Sequence, residues 1–226
     1  RLRLHGPWIL LLLVGAIVGI RLVINPFVLT YDTGPSLWWN PIVWGYLPSA
    51  AALFVAVALI WHWRRPTDKV AEDKVDSSTI AAFLEITGCL IVAAFATVFT
   101  HLVFHRDSLS TTAIPFHERI ALGNVWILLG MLMIALGDWL RRLRSETLGS
   151  VGYLILSAAA LFVLFIDGLL LNPLWTADNL GTGWINALWP LFGLPAALLG
   201  ATAFWQRRKD GAAAAGLTTL TATASL

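Results

Sequence analysis

The sequence predicts an all-α fold, a polytopic bundle of six transmembrane helices, and three observations support this fold class. Of the 226 residues, 58% are hydrophobic and only 12% are charged, and the mean hydropathy is +0.76. Six apolar runs approach or reach the roughly 20 residues that cross a bilayer core of about 30 Å. Basic residues cluster at alternate ends of these runs. A soluble domain of this length cannot bury six such runs in one core.

Short polar or Gly- and Trp-rich loops separate the six predicted spans. The spans cover residues 8–24, 42–63, 80–104, 120–140, 151–171 and 184–205. We interpret the first run as a retained span, because no small-residue cleavage motif follows it. Residues 1–209 are therefore expected to form a single transmembrane domain. The composition of residues 210–226, mostly Ala, Gly, Thr, Ser and Leu, predicts a disordered cytoplasmic tail.

The distribution of basic residues predicts the orientation of the chain. Twelve of the fifteen lie in the N-terminal segment, in the loops at 64–78 and 141–149, and in the segment that follows the last span. Cytoplasmic loops carry the excess of Lys and Arg, so both termini are expected to be cytoplasmic. Charge placed at the ends of spans, with no basic face, also argues against nucleic-acid binding.

An internal repeat organises the chain. Asn25-Pro26 and Asn172-Pro173 are separated by the same interval as Leu47-Pro48 and Leu194-Pro195. Each copy predicts a helix that ends at Asn-Pro, a Trp-rich loop, and a helix interrupted early by proline. The sequence therefore predicts two parallel-repeat helical hairpins that flank a third hairpin. Asn25 and Asn172 are expected to brace the loop backbone where the helices end.

Charged residues inside the spans are candidates for function, because burying them in a membrane is costly. Arg21 and Asp167 occupy neighbouring positions in the two repeat copies. We expect either an ion pair between them or two side chains that extend separately to the membrane surface. The candidates for lining an outer-facing cavity are Arg21, Asp167, Asn25, Asn172, Trp39 and Trp184.

Three histidines and a carboxylate lie around the end of span three and the start of span four. His101 and His105 are four residues apart, hence on one helix face, and His117-Glu118 follow after the loop. These are ligand types of a zinc or similar divalent site, although polar surface or hydrogen-bonding roles are the more usual explanation of histidines at a membrane interface. The sequence predicts no other cofactor. Glu85, well inside span three, is a candidate proton-coupling carboxyl or a hydrogen-bonding partner for a neighbouring helix.

Several of these motifs resemble a known family. Arg21-Leu-x-x-Asn-Pro26, Tyr46-Leu-Pro-Ser-Ala50 and His101-Leu-Val-Phe-His105 resemble a bacterial family of large, many-pass predicted inner-membrane proteins of unknown function. The resemblance covers most of residues 15–200 and implies a bacterial inner-membrane location and a repeat architecture. It implies no catalytic residues, because the family has no assigned activity.

Three functions remain open at this level. The first is a non-enzymatic transport or cell-envelope assembly module that handles a lipid, a lipid-linked glycan or a small solute. The second is a membrane-embedded metal-dependent enzyme that uses His101, His105, His117 and Glu118. The third is a structural subunit that binds partner helices. Expected partners are membrane lipids, and other membrane subunits or a second copy of the chain.

Overall fold

The computed structural model describes residues 5–25, 27–28, 31, 36–63, 77–105, 114–140, 147–172 and 188–210, and this part of the chain is helical without strands. Helices α1 (His5–Val23), α2 (Pro41–Trp63), α3 (Ser77–Phe104) and α4 (Phe116–Leu140) follow in order. Helix α5 (Thr147–Leu161) continues into a first π-helical segment, Phe162–Leu170. A second π-helical segment, Trp189–Gly193, leads into α6 (Leu194–Asp210). The all-helical prediction is confirmed.

Four helices are long and apolar enough to cross a membrane, which indicates a membrane protein. They are Pro41–His62, Ser78–Phe104, Phe116–Leu140 and Thr147–Leu170, while the apolar stretch of α1, Ile9–Val23, is shorter. Only 33–39% of each apolar window is buried. Side chains such as Ile17 (63% exposed) and Leu154 (68% exposed) are therefore suited to a lipid environment. The six-span count and the repeat of hairpins stay predictions.

The helix ends agree with the sequence better than the helix starts. Helices α2, α3 and α4 end at the predicted residues 63, 104 and 140. Helices α3, α4 and α5 begin three or four residues before the predicted 80, 120 and 151. The predicted starts were set at the first residue of each apolar run. The first helical turn is instead largely polar, because its free N–H groups can donate hydrogen bonds to polar side chains.

The chain divides into two compact units. The first consists of Arg1–Ser110 and Leu136–Val151, and the second of Thr111–Ala135 and Gly152–Leu226. In the first unit α3 packs against both α1 and α2. Its core contains Ile42, Ile80, Leu84 and Ile91, which are all fully buried.

Glycines allow the helices of each unit to approach closely. In the first unit, a Cβ at Gly15 would lie 2.8 Å from Leu84 Cδ2, and one at Gly137 would lie 2.5 Å from Gly149 N. In the second unit, a Cβ at Gly130 would lie 2.9 Å from Leu156 N. Small residues are enriched where membrane helices associate, because they let the helices pack closely.

Candidate functional site

The second unit contains a buried ion pair. Arg119 Nε donates a hydrogen bond of 3.0 Å to Asp167 Oδ1, and Arg119 Nη2 lies 3.5 Å from the Leu171 carbonyl oxygen. The side chain of Asp167 is 1% exposed and that of Arg119 is 14% exposed. Asp167 lies in the first π-helical segment and Arg119 in the first turn of α4. The pair thus joins two elements that are 48 residues apart in sequence.

The sequence did not predict this partner for Asp167, and the expected pairing with Arg21 stays a prediction. The repeat placed Asp167 beside Arg21, but the salt-bridge partner of Asp167 is Arg119. Arg21 is exposed in the last turn of α1, in the first unit. The predicted fourth span begins at residue 120, which puts Arg119 in the loop before it. Because α4 begins at Phe116, its guanidinium instead lies within the helix.

One and a half turns further along α4, Asn124 contacts the second π-helical segment. Its Nδ2 donates to the Ile120 carbonyl at 2.9 Å and to the Pro190 carbonyl at 2.8 Å. Its Oδ1 is buried and has no partner among the described residues, and the same holds for Asp167 Oδ2. Sequence analysis did not select Asn124, although an Asn inside the apolar run 120–140 was a visible signal.

Both π-helical segments contain a backbone hydrogen bond from residue i+5 to the carbonyl of residue i, and the local sequence explains the second segment. Leu171 N donates to the Ile166 carbonyl at 2.7 Å, and Leu194 N donates to the Trp189 carbonyl. Pro190 and Pro195 have no N–H groups, so the regular α-helical ladder is incomplete there. Gly193 leaves room for the Trp189 ring, which a Cβ would overlap. The freed Pro190 carbonyl is the one that binds Asn124. π-Helical turns are frequent at functional sites.

The end of α1 and the start of α2 are tied together by polar contacts in the first unit. Asn25 Oδ1 accepts from Phe27 N at 3.1 Å, and Asn25 Nδ2 donates to Tyr31 Oη at 2.9 Å. Tyr46 Oη donates to the Leu22 carbonyl at 2.7 Å. In the second unit Asn172 Nδ2 donates to the Gly168 carbonyl at 3.0 Å. Both asparagines therefore contact loop or helix-end groups, as the sequence predicted.

A groove lies between α1 and α3 in the first unit. Its volume is about 260 Å³, and it is lined by Ala16, Gly19, Ile20, Val23, Ile24, Phe83, Thr87 and Leu90. A Cβ at Gly19 would lie 2.5 Å from Thr87 Cγ2, so glycine permits the close approach of the two helices here. Thr87, whose hydroxyl donates to the Phe83 carbonyl at 2.8 Å, is the one polar side chain in this lining. The groove is therefore apolar.

The histidines of the predicted metal set fall into both units. In the first unit the ring centroids of His101 and His105 are 4.5 Å apart at the end of α3. In the second unit His117 and Glu118 lie in the first turn of α4, not in a loop before it. The Pro115 carbonyl accepts the Glu118 N–H at 3.1 Å, which starts the helix earlier than predicted. Metal binding by this set stays a prediction.

The remaining candidates have different environments. Glu85 is buried in α3, 2% exposed, which agrees with its predicted place inside a span. Trp39 is 74% exposed, and its ring meets Trp44 edge-on at 5.0 Å. This arrangement suits an interfacial anchor. Trp184 and the predicted tail after Asp210 lie outside the described residues.

Comparisons with protein-family models, with curated proteins and with solved structures find no match to this chain. The family resemblance drawn from the Asn-Pro and Leu-Pro motifs therefore stays a prediction.

Proposed function

We propose that this protein is a non-enzymatic membrane module that binds a lipid acyl chain in the groove between α1 and α3. In this proposal it acts in lipid transport or cell-envelope assembly at a bacterial inner membrane. The observation that carries the proposal is the groove itself, about 260 Å³ of space bounded by apolar side chains on two packed helices. An apolar groove favours an apolar ligand such as an acyl chain, because binding removes apolar surface from water. The surrounding bilayer supplies acyl chains at high concentration.

The charge next to the groove specifies the headgroup. Arg21 is exposed and directly follows Ile20, which lines the groove. The predicted topology places Arg21 near the outer membrane surface, where a guanidinium can pair with a phosphate. We therefore expect an anionic phospholipid, phosphatidylglycerol, to bind in preference to a zwitterionic one. A basic residue near a lipid surface contributes about 1 kcal/mol, equivalent to about a fivefold preference.

Native mass spectrometry of the delipidated protein tests this function. The protein is titrated with phosphatidylglycerol and, separately, with phosphatidylcholine of the same chain length. Ala16→Phe is expected to fill the groove and reduce binding of both lipids about tenfold, a loss of about 1.4 kcal/mol. The matched control is Ile17→Phe, because Ile17 is 63% exposed and does not line the groove.

Each outcome of this titration discriminates between functions. Arg21→Gln is expected to remove the preference for phosphatidylglycerol while phosphatidylcholine binding is kept. Equal loss in Ala16→Phe and Ile17→Phe, or no lipid retained by the unaltered protein, would contradict the proposal. It would favour the structural subunit that binds partner helices.

A second candidate function, a metal-dependent enzyme, is supported by the adjacent imidazoles of His101 and His105. Two His ligands on successive turns are a common part of divalent metal sites. This alternative requires bound metal, which elemental analysis measures directly.

A further inference from the structure

The ion pair of the second unit leaves one carboxylate oxygen unused. Asp167 Oδ1 accepts from Arg119 Nε at 3.0 Å, whereas Asp167 Oδ2 is buried and has no partner among the described residues. Burying an acceptor without a hydrogen bond is unfavourable, so such an atom usually indicates an occupant. The side chain of Asp167 is 1% exposed, so bulk water does not solvate this oxygen.

A second unused acceptor lies on the adjacent helix. Both donor hydrogens of Asn124 are engaged, by the Ile120 and Pro190 carbonyls, whereas its Oδ1 is buried without a partner. The two unpartnered atoms are therefore both acceptors. An anion or a carbonyl group cannot satisfy them, and an occupant must supply a hydrogen or a positive charge.

Packing and charge restrict the occupant further. A Cβ at Gly123 would lie 3.0 Å from Val163 Cγ2, so α4 and the first π-helical segment are in close contact. A proton needs no additional volume there, whereas a hydrated ion does. Among the described residues of this unit, Arg119 is the one charged group placed against Asp167. Neither π-helical segment contains another ionisable residue.

We propose that Asp167 is a proton-binding site of the membrane-embedded helices, which takes up one proton on Oδ2 while Arg119 holds Oδ1. The carboxylate and a proton from bulk water combine to give the neutral carboxylic acid, with no other bond broken. Oδ2 then becomes a donor, and Oδ1 keeps its hydrogen bond from Arg119. Arg119 is the positioning residue for this proton.

The proton affinity of the site depends on the guanidinium. Arg119 stabilises the ionised carboxylate and so opposes proton uptake, and burial opposes the ionised form. A buried carboxyl with a specific charge partner is the environment in which functional titratable groups are often found. This inference rests on residues of the second unit and is independent of the lipid groove in the first.

Infrared spectroscopy of the protein in nanodiscs tests the proposal during an acid titration. The carboxylic-acid C=O band reports protonated side chains directly. We expect a band that grows as the pH falls and is absent in Asp167→Asn. Asp138→Asn is the control, because Asp138 is a partly buried carboxyl near the end of α4 and its removal should leave this band in place.

Arg119→Gln provides a result that a structural role would not produce. Removal of the positive charge is expected to increase the proton affinity at least about tenfold, so the band appears at least about one pH unit higher. The proposal would be overturned if the carboxylic-acid band of Asp167→Asn grew with falling pH as it does in the unaltered protein. It would also be overturned if the band never formed before the protein unfolded. A rise in unfolding temperature with NaCl but not with choline chloride, lost in Asp167→Asn, would also overturn it in favour of sodium.

Discussion

Arg119 and Asp167 form a salt bridge of 3.0 Å between the first turn of α4 and the first π-helical segment. The Asp167 carboxyl is buried, and Arg119 Nη2 also approaches the carbonyl of Leu171, the residue that follows the first π-helical segment. The Arg119 side chain thus contacts both the Asp167 carboxylate and the end of the first π-helical segment. Stability should therefore respond strongly to loss of either partner.

Arg119→Leu is expected to lower the free energy of unfolding by about 3 kcal/mol, because it leaves a buried carboxylate without its counter-charge. Asp167→Asn should cost about 1 kcal/mol, since an amide oxygen still accepts from Arg119. Reversible unfolding in mixed micelles measures both. The double variant should lose less than the sum of the two, and simple additivity would show that the pair is not coupled.

Gly130→Leu is expected to destabilise the packing of α4 on α5. A Cβ at this position would already lie 2.9 Å from Leu156 N, so a longer side chain forces the backbones apart. The loss should be about 2–3 kcal/mol, as in other overpacked interiors. Gly200→Leu is the matched control, because a Cβ there meets nothing within 4 Å. Equal losses in the two variants would exclude close packing as the cause.

Tyr46→Phe is expected to cost about 1 kcal/mol in unfolding free energy. The phenol donates to the Leu22 carbonyl at 2.7 Å and thereby joins α2 to the end of α1. A Tyr46→Phe variant as stable as the unaltered protein would show that water satisfies the Leu22 carbonyl equally well.

Elemental analysis should find no stoichiometric divalent metal in the purified protein, because the lipid-binding function needs none. His105→Ala should then leave phosphatidylglycerol binding unchanged. Bound zinc at about one equivalent, lost in His105→Ala, would contradict this expectation. It would make the metal-dependent enzyme the better function.

Cysteine labelling tests the predicted orientation. In a Cys89→Ala background, Thr112→Cys should react with a membrane-impermeant maleimide added outside, and Lys69→Cys only after permeabilisation. The reason is the excess of basic residues in the loop at 64–78, which retains that loop in the cytoplasm. The reverse pattern would place both termini outside.

The contacts of Asn25 and Asn172 could be predicted from the local sequence. Asn25 was expected to brace the loop where α1 ends, and its Oδ1 does accept from Phe27 N. Asn172 makes the opposite kind of bond, because its Nδ2 donates to the Gly168 carbonyl at the end of its helix. Both contacts join residues no more than four positions apart, so sequence neighbours alone supply the partners. The salt bridge of Asp167 could not be predicted from sequence neighbours, because its partner Arg119 is 48 residues away.

By itself, the sequence determined the all-helical class, the apolar character of four membrane-length helices and the residues at which three of them end. These properties depend on hydrophobicity and on prolines and charges next to each run, all of which are local. Only the tertiary structure decided which charge meets Asp167 and which carbonyl meets Asn124. It also decided where α1 and α3 leave a groove. Those features depend on how helices distant in sequence approach one another, and close packing at Gly19 and Gly130 permits that approach.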